Sequence, residues 1–164
     1  MIEKEQLLRM DKNEIELGKG ISGVYFGMIQ AEVEKILGKA DDVGEYSLSP
    51  NENSITLFYN SKGLSFTFES VDQFKLSYIS VYHTQYHIFS FIRIGLSKKN
   101  LLDELEHFQL GKAEFEKAES EEFPTHELIY FPNENLHLWL DDGKISEIQF
   151  GPFWEDMKTI VWED

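Results

Sequence analysis

The stretch SITLFYNSKGLSFTFES, residues 54–70, contains two runs rich in aromatic and β-branched residues, at 54–60 and 63–70. Such residues are enriched in β-strands, and strands with one buried face alternate apolar and polar side chains. The residues NSKG, 60–63, separate the two runs and suit a tight turn. The stretch therefore predicts a β-hairpin, and the run LSYISVYH at 76–83 predicts a third strand.

A helix is predicted just before these strands, and a similar order of elements follows them. Val33, Ile36 and Leu37 recur at helical spacing, Gly38 suits a helix end, and Asp41 is expected to begin a loop. The second half of the chain predicts a helix near 98–108, with strands at 128–131, 135–140 and 144–150 and a turn at 141–144. The matched order predicts an internal duplication with an offset of about 70 residues.

The fold class predicted from this order is α+β, as a tandem duplication of a helix plus antiparallel strands, with the helices packed on one face of the sheet. We expect one compact domain made of an N-terminal arm or short helix (1–22), two repeat units (23–90 and 91–152) and a C-terminal tail (153–164).

Two short motifs carry a resemblance to known proteins. The first lies at the predicted first helix and the second at the last hairpin; together they comprise Gly27, Met28, Glu32, Val33, Leu37, Gly38 and Lys39, then Asp142, Gly143, Lys144, Ile145, Ser146 and Ile148. The pattern resembles the α+β modules of the β-lactamase inhibitory protein family and of SmpA/OmlA-type outer-membrane assembly lipoproteins. The resemblance implies protein binding on a concave sheet. The chain lacks the cysteines and the secretion signal of that family, which argues against an extracytoplasmic β-lactamase as its target.

The chain is strongly acidic, with 30 acidic residues against 15 basic ones and a net charge of −15. Such a charge repels nucleic acids and anionic lipids and attracts cationic surfaces, although it can also serve only to keep a protein dispersed. The absence of cysteine excludes disulfides and thiol catalysis. The N-terminal residues lack the pattern of a secretory signal, and no apolar run approaches a membrane span, so we expect a cytoplasmic protein.

No catalytic motif stands out. The G-x-S-x-G, H-E-x-x-H and G-x-G-x-x-G patterns are all missing, and adjacent acidic residues on a strand or turn point in different directions. His83 and His87 have metal-binding spacing on a helix, but in a strand they would stand about 13 Å apart. We therefore expect no enzyme activity, no cofactor and no metal, and we interpret the two histidines as structural.

Side-chain alternation points to a partner-binding surface. In the strand 76–83, Ile79 and Val81 suit the core, so Leu76, Tyr78, Ser80 and Tyr82 are expected on the opposite face. The acidic segment 112–127 is interpreted as either a solvated loop or part of a partner-facing surface. The residues predicted to bind a partner are Tyr78, Tyr82, Tyr86, Glu147, Glu121 and Glu122.

These observations favour a non-enzymatic, acidic protein-binding module. Its sharpest form is an intracellular inhibitor or immunity-type protein that neutralises a basic toxin or enzyme, since acidic groups match a cationic cleft and aromatic side chains anchor contacts. The alternatives are a structural or adaptor domain without an inhibitory role and, third, a small-ligand-binding protein or an enzyme.

Overall fold

The computed structural model describes residues 11–154 and 160–162. Within them an eight-stranded antiparallel sheet dominates, preceded by a small two-stranded ribbon. The strands are β1 (Gly20–Ile21), β2 (Val24–Tyr25), β3 (Asp42–Ser49), β4 (Glu52–Tyr59), β5 (Leu64–Glu69), β6 (Lys75–Val81), β7 (Glu114–Lys117), β8 (Glu127–Phe131), β9 (Leu136–Asp141) and β10 (Lys144–Phe150). The order across the large sheet is β3-β4-β5-β6-β10-β9-β8-β7, which places β6 and β10 at the centre.

Helical structure is limited to short segments in the described residues. The two α-helices are α1 (Gln30–Leu37) and α2 (Lys98–Glu104), and single 3-10 turns occupy Asn60–Lys62, Ser70–Asp72, Leu105–His107 and Pro132–Glu134. Ser97 is the N-cap of α2, and its hydroxyl accepts a hydrogen bond from the Asn100 N–H. None of these helices has the length and apolar character needed to cross a bilayer.

The predicted hairpins are confirmed. β4 pairs with β5 across the turn at Asn60–Lys62, and β9 pairs with β10. Gly63 has φ +69°, and a Cβ atom there would lie 2.1 Å from Cγ of His83, so only glycine fits. Asp142 (φ 53°) and Gly143 (φ 74°) both have the positive φ that a two-residue turn between twisted strands requires.

The predicted α+β class with a tandem duplication and packed helices is wrong: the protein is mainly β, with one large sheet. The two helices are eight and seven residues long, and each has only one fully buried side chain, Val33 in α1 and Leu101 in α2. They are too small to form a layer over eight strands. The segments expected to be loops after each helix instead contain the edge strands β3 and β7.

The ends of the chain are described only in part. Residues 1–10 of the predicted arm (1–22) lie outside the described residues, and residues 11–22 form turns, isolated bridges and β1. Much of the predicted tail (153–164) is likewise outside them, although Trp154 and Ile160 form a bridge with each other.

One face of the sheet carries a continuous apolar core. Phe66, Leu138 and Ile148 are fully buried there, and Phe26 packs edge-on against Phe150 with ring centroids 5.5 Å apart. The connection from β6 to α2 adds further side chains to this core cluster, including Ile88 and Ile92. Lys98 of α2 also binds Glu127 of β8 on this side through an ion pair of 2.9 Å. The core therefore spans all of the inner strands.

The expected orientation of Leu76 is wrong because of a β-bulge. The pairing of β5 with β6 shifts between Thr67, which faces Tyr78, and Phe68, which faces Leu76, so Ser77 is the extra residue. An extra residue reverses the side-chain alternation. Leu76 consequently points into the core, whereas Tyr78 faces away from it.

Candidate binding face of the sheet

The face of the large sheet opposite the core is the candidate functional surface, which we call the open face. It is formed by the side chains that alternate with core positions along the strands. Its members are Asp42, Tyr46, Glu52, Ser54, Thr56, Phe58, Ser65, Thr67, Glu69, Lys75, Tyr78, Ser80, Tyr82, Glu114, Glu116, Leu128, Tyr130, His137, Trp139, Asp141, Lys144, Glu147 and Gln149.

Small hydroxyl side chains form the floor of the open face on β4, β5 and β6. Thr56, Thr67, Ser65 and Ser80 are all buried, and the hydroxyls of Thr56 and Thr67 lie 2.8 Å apart in a hydrogen bond. Burial raises the pKa of the Tyr82 hydroxyl, and the negative charge of Glu147 adds to the rise. The Tyr82 ring thus lies among short hydroxyl side chains on this face.

Glu147 lies near the middle of this face, on the central strand β10. Its Oε2 atom accepts a hydrogen bond of 3.0 Å from the Ser80 hydroxyl on β6. Burial raises the pKa of the Glu147 carboxyl, and this exceeds the opposing effects of Ser80 and of His126. Burial therefore removes part of the hydration of the ionised carboxylate, which makes the charged form less favourable than it would be in water.

A second cluster surrounds Trp139. The His126 ring stacks on the Trp139 indole with centroids 4.9 Å apart, and His126 Nδ1 lies 2.9 Å from Asp141 Oδ1. The Ser146 hydroxyl donates to Asp141 Oδ2 at 2.6 Å, and this bond, with His126, lowers the pKa of Asp141. Because Ser146 bonds to the carboxylate and not to the imidazole, the three residues lack the order of a serine nucleophile and its base.

A pocket of about 410 Å³ opens at one end of the open face. Tyr78, Tyr130 and Trp154 contribute aromatic walls, and Glu69 and Asp72 contribute carboxyl groups. His137 stacks on Tyr130 with centroids 4.3 Å apart, and burial lowers the pKa of its imidazole. This end of the face joins aromatic and acidic groups, as the centre does.

The open face is acidic along most of its strands. Its strand positions include seven carboxyl groups, on Asp42, Glu52, Glu69, Glu114, Glu116, Asp141 and Glu147. Among the described residues, the lysines of this face are at the first positions of β6 and β10, where Lys75 is paired with Glu69 and Lys144 with Asp141. Lys117, at the end of β7, is on the opposite side of the sheet. The Lys75 ammonium lies 5.4 Å from the centre of the Trp162 ring. A negative potential over the middle of the face follows from this distribution.

The predicted partner-binding residues fall in three places. Tyr78, Tyr82 and Glu147 lie together on the open face, and Tyr82 is 42% exposed. Tyr86 is buried in the core, only 3% exposed, and its hydroxyl donates to the Lys62 carbonyl at 2.7 Å. It therefore offers no surface to a partner.

The two glutamates at 121 and 122 are exposed, in the turn-rich connection between β7 and β8 at the edge of the sheet. Part of the segment 112–127, interpreted from the sequence as a loop, is strand β7 (Glu114–Lys117). These two acidic residues are thus beside the open face and do not belong to its centre.

Trp139 and His126 are members of the site that the sequence reasoning missed. The alternation in NLHLWL, which places Leu136, Leu138 and Leu140 in the core, also sends His137 and Trp139 to the open face. That signal was present in the sequence. The stacking of His126 on Trp139 depends instead on how a loop residue approaches β9, which no periodicity reveals.

The two histidines with metal-binding spacing serve different contacts. The His83 ring packs beside Gly63, and His87 Nε2 lies 2.9 Å from Asp11 Oδ2. Within residues 11–154 and 160–162, no group of three or more histidine and acidic side chains has a geometry that could hold a metal ion.

Comparison with known proteins gives little further information. No protein-family model matches the chain, and no curated protein matches it. Among solved structures, it is similar to an extracellular protein containing a SCP domain from Bacillus anthracis str. Ames, with a TM-score of 0.47 and 11% identity. The similarity covers 93% of this chain and 50% of the other, so the chain spans half the length of that protein. A likeness this weak establishes no family, and function has to be argued from the open face.

Proposed function

We propose that this chain is a non-enzymatic, cytoplasmic module that binds a basic protein on the open face, as an inhibitor or immunity-type protein does to a basic toxin or enzyme. The observation that supports the proposal most directly is the composition of that face: its described positions carry aromatic side chains and seven carboxyl groups, with lysine at the first positions of β6 and β10.

The charges supply the first part of the reasoning. An acidic face on a chain with a net charge of −15 attracts a cationic surface from a distance and speeds the encounter. The same charges disfavour acidic partners and nucleic acids. The face is therefore selective for basic partners before any close contact forms.

The aromatic side chains supply the second part. Tyr82 is 42% exposed, and its ring stands over short hydroxyl side chains, where a partner can bury it. Tyrosine loses little conformational entropy on binding and combines a large apolar ring with a polar tip, which makes it a frequent hot-spot residue. The resemblance described from the sequence, which implies protein binding on a sheet, agrees with this function.

The test starts with a pulldown from the source lysate at low and high salt, followed by binding kinetics with the purified partner. We expect raised salt to slow association far more than it speeds dissociation. We expect Tyr82→Ala to weaken the complex by about 2 kcal/mol or more if this ring is a buried anchor.

Phe115→Ala is the matched control, because Phe115 is also aromatic and is 57% exposed, but faces Ile129 on the core side of edge strand β7. Equal losses for the two variants, or the absence of any basic protein retained at low salt, would contradict the proposal.

A further inference from the structure

The position of Glu147 allows the proposed contact to be made more specific. In the register of the sheet, Glu147 faces Trp139 on β9. On its other side Gln149 faces Ser80 and Ile148 faces Val81, so continuing this ladder places Glu147 beside Tyr82. A carboxylate on the central strand is thereby flanked by one aromatic ring on each neighbouring strand.

The Glu147 carboxylate can accept more hydrogen bonds than it receives from the described residues. An ionised carboxylate offers about four lone-pair positions. Within the described residues, the Ser80 hydroxyl is the hydrogen-bond donor to Glu147, and it donates to Oε2. The other oxygen, Oε1, is not among the fully buried atoms that lack a partner in this part of the chain. Glu147 is only partly buried, so Oε1 is the carboxylate oxygen with which an incoming donor can bond.

We propose that Glu147, Tyr82 and Trp139 form a slot for an arginine side chain of the basic partner. This inference rests on the proposed function and names the chemistry of its central contact. The guanidinium group donates N–H bonds to Oε1 of Glu147. Its flat faces lie against the Tyr82 ring and against the side of the Trp139 ring that His126 does not cover.

Arginine suits this slot better than lysine for physical reasons. The guanidinium is planar, stacks on aromatic rings and is less strongly hydrated than an ammonium group, so it loses less when partly buried. Its N–H groups also form a fork that matches a carboxylate.

The charged groups around the slot are consistent with a cationic occupant. The titratable groups near Glu147 are Tyr78, Tyr82, His126 and, through His126, Asp141. Burial keeps the pKa of Glu147 raised in the free protein, so the arrival of a cation would stabilise the anionic carboxylate and lower that pKa. Binding is then coupled to the release of a proton wherever the carboxyl is partly protonated in the free protein.

The test is an NMR titration of the full chain with N-acetyl-arginine amide, following the Glu147 carboxyl carbon and the Trp139 indole N–H. N-acetyl-citrulline amide, which has a similar shape without the charge, serves as the ligand control. We expect millimolar binding for the arginine compound, a lowered Glu147 pKa and a shifted Trp139 signal, with neither change for citrulline.

Glu147→Gln keeps the shape of the side chain and removes its charge, and we expect it to weaken arginine binding about tenfold or more. Glu116→Gln is the matched control, since it removes a carboxylate of the open face at the edge strand β7, and it should bind as the unmodified chain does. Equal binding of arginine and citrulline, equal binding of N-acetyl-lysine amide, or no effect of Glu147→Gln would each overturn the arginine slot.

The outcome is separable from that of the proposed function. If a basic protein binds the open face but Glu147→Gln leaves its affinity unchanged, the slot is wrong and the protein-binding function stands. If the arginine compound binds at Glu147 but no basic protein is retained by the chain, the slot stands and the protein-binding function fails.

Discussion

Tyr86 provides a direct test of how the aromatic side chains are divided between core and surface. It lies four residues after Tyr82, yet Tyr86 is 3% exposed while Tyr82 is 42% exposed. The same substitution at the two positions should therefore have opposite consequences. Tyr86→Ala should reduce folding stability and Tyr82→Ala should reduce binding.

The expected sizes follow from the contacts. Truncating a buried aromatic ring to alanine costs about 3–5 kcal/mol, from lost burial and the cavity left behind. Removing only the hydroxyl in Tyr86→Phe breaks the 2.7 Å bond to the Lys62 carbonyl and should cost about 1 kcal/mol. In a chain of this size, 1 kcal/mol corresponds to about 2–4 °C in melting temperature. Tyr86→Ala should thus melt roughly 6–20 °C lower.

Urea unfolding followed by circular dichroism measures these differences, with Tyr82→Ala as the surface control at about 1 kcal/mol or less. The reasoning would be refuted by a Tyr86→Ala variant that loses less than about 1 kcal/mol of stability. A Tyr82→Ala variant that loses more stability than Tyr86→Ala would refute it equally.

Gly63→Ala should destabilise the protein by about 1–3 kcal/mol, because φ is +69° and the new methyl group would meet the His83 ring. Urea unfolding measures the loss, and a neutral result would mean that the His83 ring moves aside at no cost. The raised pKa values of Glu69 and Glu147 mean that the folded state holds these protons more tightly than the unfolded state, so their contribution to stability should fall as pH rises above about 4.5. Glu147→Gln should make the unfolding free energy decline less over that pH range, and an unchanged slope between the two proteins would contradict this assignment.

The inner strands could be predicted from the sequence because each has one apolar face. β4, β5, β9 and β10 alternate or concentrate large apolar side chains, and their turns carry the residues that tight turns need. The edge strand β3, DVGEYSLS, is exposed on both faces, so no apolar period marks it. β7, EFEK, is likewise exposed throughout. These edge strands are held mainly by backbone hydrogen bonds to one neighbouring strand. Because they bury few side chains, their sequences show no apolar periodicity.

The residues of the candidate site could be predicted where the alternation of side chains along a strand decides which face they occupy. Alternation correctly turned Tyr78, Tyr82 and Glu147 away from the core, but it failed at Leu76, where a bulge reverses the side-chain order. The neighbours of Glu147 depend on the pairing of β6 with β10, which joins distant parts of the chain. Register between distant strands is set by packing and not by local propensity, so Tyr82 could not be placed beside Glu147 from the sequence. Trp139 belongs to the predicted hairpin, but the register shift between Ile145 and Glu147 determines which residue it faces.

The junction between β6 and β10 has a consequence for the kinetics of folding. Only three residue pairs join these strands in register, whereas the flanking strands are linked by short turns. Closing a long loop costs more entropy than closing a short one, and contacts between distant residues slow folding. We expect the hairpins on each side to form first and the junction to close last. Pulse-labelling hydrogen exchange during refolding should then protect the amide protons of the β4–β5 and β9–β10 hairpins before those that bond β6 to β10. The hydrogen bond from Ser80 to Glu147 crosses this junction over a separation of 67 residues. A ligand bound at Glu147 would therefore contact both halves of the sheet across the junction that the chain joins by its longest connection.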